Sequence, residues 1–173
     1  MFKINRSNPV SVAAGSFIEI VTELLPFQRG WGLANLWASA TFLTMCNRYS
    51  LSKKQERMIK RQFGAIEFDF KPRYNIAPTQ KAPVVVVEDG RLACKEMQWG
   101  FKPAWSKAPV TNAQFETLPQ KPTFKDAFAS RRCLVPADGF YEWTTFCAKR
   151  QPIRHALAGE PLFFFAGLWS VKV

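Results

Sequence analysis

Apolar positions in this chain gather into short runs bounded by turn residues, the pattern of strands. "RYNIAPTQKAPVVVV" leads through Pro78 and Pro83 into the β-branched run Val84 to Val87. "EDG" then predicts a hairpin turn and "RLACKEMQWG" the return strand. "CLVPADGFYEW" predicts a strand, a turn and a strand, and "QPIRHALAGEPLFFFAGLW" a further hairpin turning at Ala158-Gly159-Glu160-Pro161. Two stretches read as helices. "SKKQERMIKRQFG" has Ser52 and Gln55 at capping-box spacing and stops at Gly64. "TFKDAFASRR" puts Phe124 and Phe128 four residues apart, on one helical face. Strands with two short helices and no internal repeat predict an α+β domain around a curled or barrel-like mixed sheet. The run Leu162 to Leu168 is apolar enough to predict a central strand with partners on both sides. Too little chain follows to supply another strand, so the expectation is a fold incomplete at its C-terminus.

The first 44 residues follow a different pattern. "SVAAGSFIEIVTELLPFQRGWG" is apolar in patches broken by Glu19, Glu23, Pro26 and Arg29, unlike the clean apolar core of a signal peptide. A short helix near Phe17 to Leu25 is expected there, and no chemistry. No uninterrupted apolar run approaches the length of a membrane span.

Composition sharpens this picture. Hydrophobic residues make up 47% of the 173 residues, with sixteen Phe and six Trp, which suits one domain with a substantial core. The formal net charge is +11. Before Met45 only Lys3, Arg6 and Arg29 stand against Glu19 and Glu23, so nearly all the excess lies after it. Such a charge favours anionic partners, although the Lys53, Lys54, Arg57, Lys60 and Arg61 face of the first helix reads most simply as solvated. Cys46, Cys94, Cys133 and Cys147 form no CxxC pair and His155 is the only histidine, which argues against a metal site. Free thiols in the cytoplasm are the expectation.

Five stretches stand in order: "MCNRYS", "RYNIAPTQ", "WGFKPAW", "TNAQFET" and "RRCLVPADGFYEW", with "FFFAGLW" following. Together, over residues 45 to 169, they closely resemble the SOS-response-associated peptidase (SRAP) family, the abasic-site processing proteins. The resemblance implies a domain spanning residues 45–173, preceded by an upstream extension of residues 1–44. It also implies that Cys46 becomes an N-terminus after loss of Met45, and that the domain captures abasic sites in single-stranded DNA as a thiazolidine crosslink. Thiol-dependent self-cleavage is the activity behind the family's name. Cys46, Asn112 and Glu142 match its catalytic positions, while Arg48, Asn75, Trp99, Pro103 and Trp105 match positions expected to meet DNA. A carboxyl between Tyr141 and Trp143 would be partly desolvated, which suits proton transfer. The resemblance implies no metal, no organic cofactor, no membrane and a monomer associated with DNA.

Three features depart from the family pattern. Asn47 stands where the family has Gly, and Gln114 where it has a basic residue. The family's downstream "HDRMP"-type motif is absent, and His155, upstream of "FAGLW", does not take its place. Two rival expectations follow. One is a module that binds single-stranded DNA without chemistry. The other is a general cysteine peptidase, which would need a histidine beside Cys46.

Overall fold

The computed structural model describes residues 2–3, 46–52, 56–64, 66, 70–114 and 117–171. The helix expected near Phe17 to Leu25 lies outside them, as does Gln55 of the capping box. The described elements run β1 (Phe2–Lys3), β2 (Tyr49–Leu51), α1 (Glu56–Phe63), β3 (Arg73–Ile76), β4 (Lys81–Glu88), β5 (Arg91–Gln98) and β6 (Ala113–Gln114). They continue with α2 (Pro122–Ser130), β7 (Arg132–Ala137), β8 (Gly139–Phe146), β9 (Lys149–His155) and β10 (Phe163–Leu168).

The fold is α+β and rich in sheet, as the pattern predicts. In place of one curled sheet, the described strands form two open four-stranded sheets, in the orders β10-β7-β4-β5 and β3-β2-β8-β9. Every pairing within these two sheets is antiparallel. The two-residue β1 runs parallel to β6 with Phe2 opposite Ala113. The main core includes Tyr49, Leu51 and Ile76 from one sheet, Val85, Leu134 and Phe163 from the other, and Ile59 and Phe63 of α1. Val84 and Val86, on the opposite side of β4 from Val85, pack with Cys133 in a second cluster. A strand buried on both faces has no polar alternation, which explains the continuous valine run.

Local chemistry fixes several boundaries. Asp89 and Gly90 have φ of 50° and 73°, the twist a two-residue β4–β5 hairpin requires. Gly64, at φ 74°, follows the last residue of α1 as a left-handed cap. The outer face of α1 exposes Arg57, Lys60 and Arg61, with Lys60 bonded to Glu56 one turn earlier at 2.9 Å. In α2, Phe124 is buried beside Ala113 and Leu118 with Phe128 packed against it.

Three expectations about strand partners are corrected. The hairpin expected between β9 and β10 does not form: the turn exists, with Leu157 bridging Glu160, but the strands enter different sheets. Instead β9 returns along β8 through Cys147 and Ala148, at φ 49° and 60°. Likewise β7 and β8 are not a hairpin, because the chain crosses between sheets at Asp138. The strand expected to be central, β10, pairs with β7 alone among the described residues. Its apolar character comes from covered faces rather than paired edges: Phe163 and Ala166 are buried, and Phe165 packs edge-on against Tyr49.

Candidate functional site

Cys46 lies just before β2, where the chain runs antiparallel to β8. Tyr49 pairs with Phe140, and the Tyr141 amide donates to the Arg48 carbonyl at 2.9 Å, carrying the approach toward Cys46. Alternation along β8 puts Glu142 on the same face as Phe140, whose ring packs against Phe163 and Phe165. Glu142 is therefore buried at the rim of the core. Burial pushes the Cys46 thiol up to a pKa of about 12, and the Glu142 carboxylate adds to the shift. The thiol is neutral at physiological pH.

Asn112 reaches this arm from the far side. Its amide nitrogen lies 3.4 Å from the Cys46 carbonyl, 3.4 Å from Asn47 Oδ1 and 3.3 Å from Thr111 Oγ1. The Thr111 hydroxyl donates to Asn47 Oδ1 at 3.2 Å. Thr111 carries no motif signal of its own, and Asn47 stands out in the sequence only as a departure from the family pattern. The signal was adjacency, since each is the immediate neighbour of a singled-out residue. A cavity of about 830 Å³ adjoins this cluster, lined among others by Tyr49, Trp99, Thr111, Asn112, Cys133 and Trp169. Its size suits a small ligand. Neither Cys46 nor Glu142 lines it.

The "WGFKPAW" segment begins as structure and ends as surface. Trp99 meets Tyr49 edge-on at 5.4 Å between ring centroids and donates from Nε1 to the Thr111 carbonyl at 3.2 Å. It packs against the main core. Gly100, at φ 117°, lets the chain turn, and a Cβ there would sit 2.8 Å from Pro109. Mutual bonds between Phe101 and Val110 close a loop, and the Ser106 amide donates to the Pro103 carbonyl at 3.0 Å within it. Pro103 is half-buried, whereas Trp105 stands 72% exposed. Of the three, Trp105 offers the free aromatic face.

Arg48 donates to Asn75 Oδ1 at 2.9 Å on an exposed stretch of the sheet. Asn75 lies within β3. Beneath this surface, buried Asp138 accepts from the Ser50 hydroxyl at 2.6 Å, the Ser52 amide at 2.7 Å and Arg154 at 3.1 Å. Desolvation alone would raise its pKa; the hydrogen bonds from Ser50, Ser52 and Arg154 outweigh it and leave the pKa lowered. This network ties β2 to the start of β8 and so fixes the spacing between Cys46 and Glu142. His155 stacks on Phe140 at 5.2 Å in β9, as an ordinary strand histidine would.

Cys46, Asn112 and Glu142 thus converge from three separated segments, with Arg48 and Asn75 paired nearby. Among the described residues no cluster of His, Cys, Asp and Glu suits a metal ion, and no helix is long and apolar enough to cross a membrane. The family model described as SOS response associated peptidase (SRAP) matches residues 45–173. The abasic site processing protein YoqW of Bacillus subtilis is 35% identical over 136 residues, covering 73% of this chain and 60% of the relative. The abasic site processing protein YedK of Escherichia coli is 32% identical over 130 residues, covering 70% and 59%. A phage-related protein of Bordetella bronchiseptica of known crystal structure superposes with a TM-score of 0.61 at 30% identity, covering 71% of this chain and 60% of that one. The chain therefore spans about 60% of the length of these two curated relatives.

Proposed function

The chain belongs to the SOS response associated peptidase family, and on that footing we propose that it processes abasic sites in single-stranded DNA through Cys46. The observation that carries this reading is the convergence of Asn112 and Glu142 on Cys46. The relatives' names supply the substrate, and the excess positive charge suits a DNA strand.

The chemistry needs an N-terminal cysteine. An abasic site exists partly as a ring-opened aldehyde. A free α-amine, with a pKa of about 7.7–8.0, is partly neutral at physiological pH and adds to the aldehyde carbon. The resulting carbinolamine loses its hydroxyl as water, giving a Schiff base. The thiol then adds to the same carbon, its proton passes to the nitrogen, and a five-membered thiazolidine closes. The Glu142 carboxylate takes the proton that the attacking amine sheds and passes it to the departing hydroxyl, and Asn112 holds the Cys46 backbone in place. A neutral thiol suits this order, because the amine attacks first and thiol addition follows.

In the sequence as it stands the Cys46 nitrogen is an amide, bonded to Met45. Hydrolysis of that bond, the self-processing implied by the family's name, frees the amine. Until then the domain acts as a binding module for single-stranded DNA. A general cysteine peptidase is disfavoured because such enzymes lower the thiol pKa with a histidine, whereas burial and Glu142 raise that of Cys46.

The test uses the protein with Cys46 as its first residue. Cys46→Ala should lose the thiazolidine yet still form, through its α-amine, a Schiff base that borohydride traps. A stable adduct without reduction in that variant would remove the thiol from the mechanism.

A further inference from the structure

The β8–β9 ribbon continues well past Glu142 and carries features that the reaction does not use. Its register places Glu142 opposite Ile153, Thr144 opposite Gln151 and Phe146 opposite Lys149. Side chains two apart on a strand share a face, so these six residues line the ribbon on the side of the reacting carboxylate. The face starts buried at Glu142 and becomes exposed: Phe146 is 66% exposed and Ile153 45%. Thr144, Lys149 and Gln151 are also exposed. No acidic residue occurs from Trp143 to Gly159. An exposed phenylalanine beside a lysine, on a stretch of ribbon with no carboxylate beyond Glu142, is the pairing that a base and its phosphate would recognise. Strand rise puts Phe146 about 14 Å from Glu142, roughly four stacked nucleotides or fewer in an extended strand.

We propose that the outer half of the β8–β9 ribbon is a landing surface for the DNA strand flanking the reacting nucleotide. Phe146 stacks on a base within about four nucleotides of the abasic sugar, by the same rise, and Lys149 meets a phosphate beside it. This rests on the reading of Cys46 as the reacting group, and it extends the contact surface beyond the positions matched to the family.

The test uses the full chain and an undamaged single-stranded oligonucleotide of mixed sequence, so covalent capture plays no part. Phe146→Ala should weaken binding about five- to a hundredfold with the salt slope unchanged, and Phe146→Trp should restore it. Lys149→Ala should reduce the slope of log K against log salt by about 0.7. 5-Iodouracil placed at successive positions should photocrosslink to Phe146. A parent protein that does not bind the oligonucleotide would overturn both this proposal and the functional reading. Parental binding that Phe146→Ala leaves within about twofold, well short of a stacking loss, would overturn this proposal alone. So would an oligomer in the parent that Phe146→Ala dissolves, since the patch would then join copies of the chain. Melting curves for Phe146→Ala should match the parent, because the side chain lies outside the core clusters.

Discussion

At the scale of single residues, the proposed chemistry turns on a thiol kept neutral and an amine waiting to be freed. With a pKa of about 12, the Cys46 thiol ionises only when pH rises far above neutrality. At pH 8 its thiolate fraction is on the order of one in ten thousand, against roughly a quarter for an ordinary cysteine at about 8.5. Alkylation by iodoacetamide at pH 8 should therefore modify exposed Cys147 first, with Cys46 and buried Cys133 last. Rapid labelling of Cys46 at that pH would mean the thiol is already activated. Glu142→Gln keeps the shape of the side chain and removes its ability to relay a proton. In the protein beginning at Cys46 it should slow capture about a hundredfold or more, with affinity for single-stranded DNA nearly unchanged. Equal single-turnover rates for parent and variant would remove Glu142 from the mechanism. Cys46, Asn112 and Glu142 could be proposed from sequence because each sits in a motif that survives in one dimension. Asn47 and Thr111 were not, since their roles come from one hydrogen-bond cluster joining distant segments.

At the scale of elements, two features bear most on the geometry. Asp138 stitches β2 to β8 through Ser50, Ser52 and Arg154, and Asp138→Ala should cost about 2 kcal/mol in urea unfolding at pH 7. Its folded pKa lies below the ordinary 3.8, so the contribution of its charge is fully present above pH 3.8. That contribution is lost as pH falls through the depressed folded value. Asp138→Asn should accordingly be less stable than the parent at pH 7, with the gap narrowing on acidification. A gap that stays constant from pH 7 to pH 3 would contradict the ionic role. The second feature is the Cys147-Ala148 turn. Ala148 occupies φ 60°, where a Cβ costs about 1–2 kcal/mol. Ala148→Gly should recover part of that, raising Tm by about 2–4 °C; a lower Tm would contradict the strain. The same turn shows why the ribbon escaped sequence reasoning. The β4–β5 turn has Asp89-Gly90 to announce it, whereas Cys-Ala carries no turn chemistry and Ala158-Gly159 drew attention to the wrong place. The second helix was legible from the Phe124–Phe128 spacing, and the end of the first from the Gly64 stop.

At the scale of the whole molecule, two open antiparallel sheets enclose an aromatic core and present Cys46 where β2 meets β8. The α+β class was legible from the alternation of short apolar runs. The division into two sheets was not, because strand order depends on long-range pairing that local pattern does not encode. The division matters for function: β7 and β8 follow one another in sequence yet belong to different sheets, and the crossing at Asp138 aims β8 at the Cys46 arm. The central claim is that the α-amine and thiol of Cys46, acting together, capture the aldehyde. The most direct measurement is intact mass, followed by peptide mapping, after incubation with an abasic single-stranded oligonucleotide and denaturation. The 173-residue chain and the protein beginning at Cys46 would be compared side by side. The account predicts a stable adduct on Cys46 only where Cys46 is the first residue, whether made so by design or by loss of the preceding residues. An adduct on a chain whose Met45–Cys46 bond is intact, or none on the protein beginning at Cys46, would contradict it.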